Sequence, residues 1–341
     1  MLESTWFFLW GLLWAVYFML DGFDLGAGTL MPFMAKNETE KRMMYNSVGP
    51  FWDGNEVWLI AAGGVTFAAF PKTYAVLFSG LYSALMLLLF ALILRGVSFE
   101  FRSKIESKTW KGFFDLLQFL GSFLPALLLG VAFANIFMGI AIDANGVNQE
   151  GLFHLLNPYG LAGGVFFVVM FALHGALWIG IKTQGDIKLR AVRFAVGLWP
   201  VLACLTALFL AMSAGFTELF QNYIDMPVLF LVLLVPVGGL IMIRHFLGQI
   251  NMLKAWISSA VFIVGVTFFG IIGLYPKLLP STLDPAYSMT ITNSSSSTLT
   301  LQIMLGVALV FVPIVILYQF WAYRTFGHVL EQKDLDHDEA Y

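Results

Sequence analysis

The residues able to do chemistry come in two short acidic pairs. In "DGFD" Asp21 and Asp24 stand three apart, and in "WDGNE" Asp53 and Glu56 do the same. On a helix that spacing stacks two carboxyls on one face. Both pairs lie inside runs apolar enough to cross a lipid bilayer, where an ionised side chain at the centre costs about 3 kcal/mol. Carboxyls kept at depth despite that cost are the working parts of membrane proton relays, because each can hold a proton and hand it on through water. Asn55 adds an amide that both donates and accepts. Gly22, Gly26, Gly28 and Gly54 leave room for close backbone approach or for water.

Plainer readings stand beside this one. Asp53, at the start of its run, also suits an N-cap or first-turn acid. Arg95 lies where it could reach a carboxylate and turn part of the cluster into a buried ion pair. His174, in "FALHGALWIGIK", is open between a proton-path member and a polar packing residue. His154 falls in a connection, His245 near a helix end, and His328 and His337 in or beside the C-terminal tail. His174 and His245, on different helices at different depths, do not make a haem pocket within this chain. Trp52 and Trp58 flank the second acidic pair and either seal it from lipid or anchor its helix. Cys204 is the only cysteine, which excludes an internal disulfide and a cysteine-held cluster; it reads as a small buried apolar residue. The sequence shows no metal site, Walker lysine motif, Rossmann glycine pattern or Ser/His/Asp constellation, and nothing in it calls for nucleic acid.

The elements that must position these groups follow from composition. Hydrophobic residues are 59% of 341 and charged residues 11%, against about 25% charged in soluble domains. The chain reads as an all-α polytopic membrane protein in contact with lipid. At about 20 residues per crossing, apolar runs near 6–34, 50–70, 73–96, 112–138, 158–181, 192–213, 227–247, 253–275 and 299–323 predict nine transmembrane helices. Of 18 lysines and arginines, all but Lys72 and Lys277 fall in or beside the connections after helices one, three, five and seven or in the C-terminal tail. By the positive-inside rule the N-terminus lies outside and the C-terminus in the cytoplasm, an arrangement that an odd helix count requires. Residues 1–325 form a single transmembrane domain and 326–341 an acidic, solvated cytoplasmic tail. "MLESTWFFLW" lacks a basic n-region, so the first helix is expected to be retained. Pro276–Thr298 reads as an ordered loop, with Ser297 or Thr298 as the cap of the last helix.

Several stretches in order along the chain carry a resemblance: "DGFDLGAG", "NSVGPFWDGNEVWL", "LRGVSFEFRSK", "LLNPYGLAGG", "HGALWIGIKT", "DPAYSMTITNSSSSTLTLQIM" and "VPIVILYQFWAYRTFG". The chain resembles subunit II of the cytochrome bd quinol oxidases. The resemblance implies a heterodimer with a larger, similarly folded haem-bearing subunit I in the cytoplasmic membrane of a prokaryote, and leaves open a small accessory single-helix subunit. It implies oxidation of quinol to quinone and reduction of O2 to water with protons from the cytoplasm. Haem b and haem d would be bound mainly by the larger subunit. The family's relay aspartates fall on Asp24 and Asp53. In relatives the Glu56 position can be Gln and the Asp21 position Glu, and where some carry His before the Trp-Asp, this chain has Phe51. Asp53, Asp24, Asp21, Glu56, Asn55 and His174 are therefore the expected proton-path residues, with Trp52, Trp58, Arg95 and Arg102 in supporting or interface positions. A proton-coupled secondary transporter is the alternative, since carboxylates within the membrane and Gly-interrupted helices suit it equally.

Overall fold

Helix α1 (Leu2–Met34) is the hub: α3 (Trp52–Ala69), α6 (Lys108–Met138), α7 (Pro158–Lys182) and α11 (Met252–Leu274) all pack against it. Glycines make this possible. A Cβ on Gly26 would lie 1.8 Å from the Phe171 carbonyl oxygen of α7, and one on Gly28 would lie 2.0 Å from Ser122 Oγ of α6. Only a hydrogen at those positions lets the backbones come so close. Two buried apolar clusters flank α1 along its length. One runs from Tyr17 to Met34 with Phe51, Phe133 and Trp178; the other gathers Trp6, Phe7 and Trp10 with Phe70, Ile271 and Leu278. The remaining elements are α2 (Glu38–Val48), α4 (Pro71–Gly80), α5 (Tyr82–Phe101), α8 (Gly185–Phe216), α9 (Gln221–Asp225), α10 (Leu234–Gly248) and α12 (Thr298–Thr325). The computed structural model describes residues 1–335 and 341. His337 and the rest of 336–340, within the expected acidic tail, lie outside the described residues.

Among the described residues eight helices are long and apolar enough to cross a membrane, one fewer than the nine expected. The exception is α3, whose first turns carry Asp53, Asn55 and Glu56. It nevertheless lies antiparallel along α1. Asn55 Nδ2 meets Asp24 at one end, and Trp10 Nε1 donates to Thr66 Oγ1 at 2.9 Å towards the other. The helix expected over 73–96 is broken. Pro71 cannot continue a helix and stands at the first position of α4, and a second break at Leu81 starts α5 at Tyr82, which then runs on to Phe101. The Pro276–Thr298 segment carries a small antiparallel pair, β1 (Lys277–Leu279) and β2 (Met289–Thr290), and single β-bridges join Ile140 to Ser281 and Ile142 to Asn148, so among the described residues the all-α expectation holds outside these two connections. Ser297 caps α12 as expected, its side chain accepting from the Thr300 N–H.

Two further expectations change. Cys204 is exposed on the flank of α8 and not buried, because that helix packs through Ala191, Ala195 and Leu202 and leaves its other side free. The first part of the tail is tethered although most of its side chains stay exposed: Leu330 N–H donates to the Lys182 carbonyl at 2.8 Å, Lys182 Nζ donates to the carbonyls of Phe326 and His328, and Leu330 and Leu335 are buried.

Candidate functional site

Three helices bring the acidic groups together. Arg95, on α5, is wholly buried, and its Nη2 donates to Asp21 Oδ1 of α1 at 2.8 Å and to Glu56 Oε2 of α3 at 2.9 Å. Glu56 keeps 21% of its side chain exposed while Asp21 keeps none. One turn along α1, Asp24 Oδ2 accepts from Asn55 Nδ2 at 2.7 Å. Asn55 is turned by its other contacts: Nδ2 also reaches the Leu20 carbonyl, and Oδ1 accepts from Tyr323 OH of α12 at 2.9 Å. The result is a polar patch across α1, α3, α5 and α12.

Its hydrogen bonding is incomplete among the described residues. Asp21 Oδ2, Asp24 Oδ1, Arg95 Nε and Nη1 and Tyr17 OH are all buried without a partner. Buried polar groups are nearly always paired, and water is the partner small enough to fit here. Charge is unbalanced too, since one guanidinium faces three carboxyl groups. Two acids beyond the one Arg95 neutralises can hold exchangeable protons, which is what a relay requires.

A second polar group ties the helix ends together. Arg102, just after α5, donates Nε to Asp115 Oδ1 of α6 at 2.6 Å and forks onto both oxygens of Glu38 at the start of α2. Lys41 Nζ donates to Asp115 Oδ2 at 2.7 Å, and Arg190 pairs with Glu40. Burial works against ionisation of Glu38, but the hydrogen bonds and charge of Arg102 outweigh it and hold the carboxyl below its ordinary range. Arg102 is therefore a clamp between connections, apart from the acidic patch.

The expected site residues divide. Asp21, Asp24, Asn55, Glu56 and Arg95 come together. Asp53 does not join them: it is exposed in the first turn of α3, where its carboxylate suits the helix dipole, and makes no hydrogen bond or ion pair among the described residues. His174 is buried on the other side of α1, with Nδ1 against Ser259 Oγ and Nε2 against the Met19 carbonyl, each at 3.0 Å. Stacked on Trp256, it joins α7, α11 and α1 and is apart from the acidic patch. Trp58 is buried, and Trp52 stacks on Phe99. Gly54 has nothing within 4 Å of an added Cβ, so unlike Gly22, Gly26 and Gly28 it marks no close approach.

Sequence reasoning missed Tyr323, Tyr17, Ser98, Gln118 and Ser122. The signal was present as polar side chains at helical spacing inside apolar runs, such as Gln319 with Tyr323 and Gln118 with Ser122. Nothing in those runs marks the inner side of a helix.

The family model described as cytochrome bd terminal oxidase subunit II matches residues 2–326. The cytochrome bd ubiquinol oxidase subunit 2 of Bacillus subtilis is 35% identical, with 98% of each chain covered. The cytochrome bd-I ubiquinol oxidase subunit 2 of Escherichia coli K12 is 34% identical over 97% of this chain and 96% of its own. In fold, the chain superposes on a chain of the bd oxidase from Geobacillus thermodenitrificans with a TM-score of 0.78 at 18% identity, covering 95% of this chain and 98% of that one. With the family's pattern running through nearly all of its residues, the chain belongs to the cytochrome bd terminal oxidase subunit II family.

Proposed function

We propose that this chain is the haem-poor smaller subunit of a quinol:O2 oxidoreductase, supporting a larger haem-bearing subunit in the cytoplasmic membrane and supplying protons from the cytoplasm for reduction of O2 to water. The observation that carries this reading is the buried patch of Asp21, Arg95, Glu56, Asp24 and Asn55, with more acid than base and with buried atoms no side chain satisfies. Quinol as electron donor is supported by the names of the relatives, which are ubiquinol oxidase subunits.

The residues present do not fit a histidine-ligated haem. His174, the one buried histidine among the described residues, has both ring nitrogens engaged, and His154, His245 and His328 are exposed. Haem b and haem d are accordingly assigned to the partner subunit. The work of this chain is proton handling. Asp24 holds a proton at its carboxyl, Asn55 orients that carboxyl, and Arg95 keeps Asp21 and Glu56 at one place in the membrane. Glu56, partly exposed on α3, is the member of the patch with access to the chain's surface.

The test is a reduced-minus-oxidised spectrum of the complex isolated in mild detergent, followed by O2 uptake with Asp24→Asn. Haem bands with a larger co-purifying polypeptide, and a variant with native haem but at least tenfold slower uptake, are expected. A colourless, solitary chain would return the transporter reading. A fully active Asp24→Asn complex would remove Asp24 from the path.

A further inference from the structure

The turn between α10 and α11 holds a conformation that its sequence does not favour. Ile250 has φ 55°, the one non-glycine residue with positive φ among the described residues. It closes the end of α10: its N–H donates to the Leu247 carbonyl and the Asn251 N–H to the Phe246 carbonyl, each at 3.0 Å. Glycine usually fills such a left-handed closing position, and a β-branched side chain is strained there. Gly248, two residues earlier, has no positive φ and open space around an added Cβ. Packing does not offset the strain, since Ile250 is 63% exposed and Leu253 beside it 54%.

Around these two apolar side chains stand cations without acids. Lys188, near the start of α8, lines a groove of about 340 Å³ together with residues 249–253 and the end of α7. Lys254 Nζ lies 5.6 Å from the Phe246 ring centroid, and the Arg244 guanidinium lies 5.9 Å from that of Trp199 on α8. None of the three cations has an ion-pair partner among the described residues, whereas Arg190, also on α8, pairs with Glu40. Asp186, in the first turn of α8, is exposed and pairs with none of them. No aspartate or glutamate occurs between Asp225 and Asp284, so α10 and α11 carry no acid at all.

We propose that this end of α8, α10 and α11 binds the phosphate of an anionic phospholipid, with Ile250 and Leu253 set among the acyl chains beside it. An apolar tip ringed by lysine and arginine is the pattern of a lipid-interface anchor. By the positive-inside rule this is the cytoplasmic end of the bundle, where basic pockets between helices hold anionic headgroups. A free phosphate would engage the cations but leave both apolar side chains in water, so the exposed pair favours lipid. A strained residue persists where its surroundings hold it, and around Ile250 those surroundings are the bilayer. The site lies apart from the acidic patch and stands whether or not that patch carries protons.

The experiment places the intact complex in nanodiscs of phosphatidylcholine, alone or mixed with phosphatidylglycerol. It reads the thermal midpoint and, by native mass spectrometry, the lipids retained. Phosphatidylglycerol should raise the midpoint by several degrees and be retained at least threefold over phosphatidylcholine. Lys188→Gln/Arg244→Gln/Lys254→Gln should abolish both effects, whereas Lys104→Gln/Lys108→Gln, in the α5–α6 connection, should keep them. Asparagine accepts the left-handed conformation, so Ile250→Asn should raise the midpoint in phosphatidylcholine yet shrink the gain from phosphatidylglycerol. That single variant decides the matter even if the triple variant fails to assemble. The site is overturned by a wild-type complex with no lipid preference, or by an equal loss in the Lys104/Lys108 variant. An undiminished gain in Ile250→Asn, or a gain that inorganic phosphate reproduces without the lipid, would overturn it as well.

Discussion

Arg95 and Asp21 meet at 2.8 Å with neither side chain exposed. Breaking such a pair from one side leaves a bare charge in a poorly hydrated place, at about 3–5 kcal/mol. Arg95→Met is therefore expected to lower the midpoint of thermal unfolding of the isolated complex and its yield. The double variant Arg95→Met/Asp21→Asn should recover part of the loss. A double variant as unstable as the sum of the single ones would mean the two residues do not interact.

Asp24 and Asp53 are separated by burial. Asp24 is 1% exposed and bonded to Asn55, whereas Asp53 faces outward from α3. Asp24→Asn should reduce O2 uptake more than Asp53→Asn at equal haem content, measured with an oxygen electrode on both purified variants. The reverse order would shift the relay to the outer flank of α3.

Tyr323 joins α12 to the patch. Its hydroxyl donates to Asn55 Oδ1 and so keeps the Asn55 amide hydrogens on Asp24. Tyr323→Phe removes one hydrogen bond, worth about 1 kcal/mol, and frees the amide to flip. Turnover is expected to fall several-fold while KM for quinol and the thermal midpoint hardly move. A large drop in the midpoint with normal specific activity would make Tyr323 a packing residue only.

Gly26 and Gly54 should differ sharply. A Cβ at Gly26 would collide with the Phe171 carbonyl, forcing α1 away from α7, and overpacking of this kind costs about 1–3 kcal/mol or more. Gly54→Ala meets open space. Complex yield after detergent extraction should collapse for Gly26→Ala and stay near wild type for Gly54→Ala.

Glu38 provides a pH test outside the membrane-spanning helices. Its folded-state carboxyl lies below the ordinary value of 4.5, so its stabilising contribution is present above that pH and is lost as pH falls through the lower folded-state value. With nearly half of the side chain in solvent, the contribution is about 0.5 kcal/mol. Glu38→Gln should speed amide exchange in residues 38–48 at pH 7, with the difference shrinking as pH drops below 4. A difference that persists in acid would assign the effect to packing.

Much of this was legible from residue types. Asp21, Asp24, Asn55 and Glu56 stood out because charge and amide groups inside an apolar run demand a partner, and Arg95 was the nearest cation with enough reach. Asp53 shares their spacing but lies exposed, because a residue in the first turn of a helix can face outward at little cost. The division at Pro71 was readable from proline chemistry, yet the run over 73–96 looked continuous because hydropathy does not register a break between two apolar helices. Tyr323, Gln118 and Ser122 escaped notice for a related reason: a lone hydroxyl or amide in an apolar helix has the same pattern whether it faces lipid, a neighbour or water.

The chain alone determined the class, the apolar runs, the concentration of positive charge in alternate connections and the family, since each depends on composition or local order that survives without knowledge of contacts. Tertiary structure decided which acids share one cation, that His174 contacts Ser259 and the Met19 carbonyl and not those acids, that α3 follows α1 despite its polar start, and that a polar seam of Gln118 and Ser122 on α6 meets the patch. Those outcomes depend on which helix faces touch. That is set by where glycines let backbones approach, a property of pairs of helices that no single run of sequence contains.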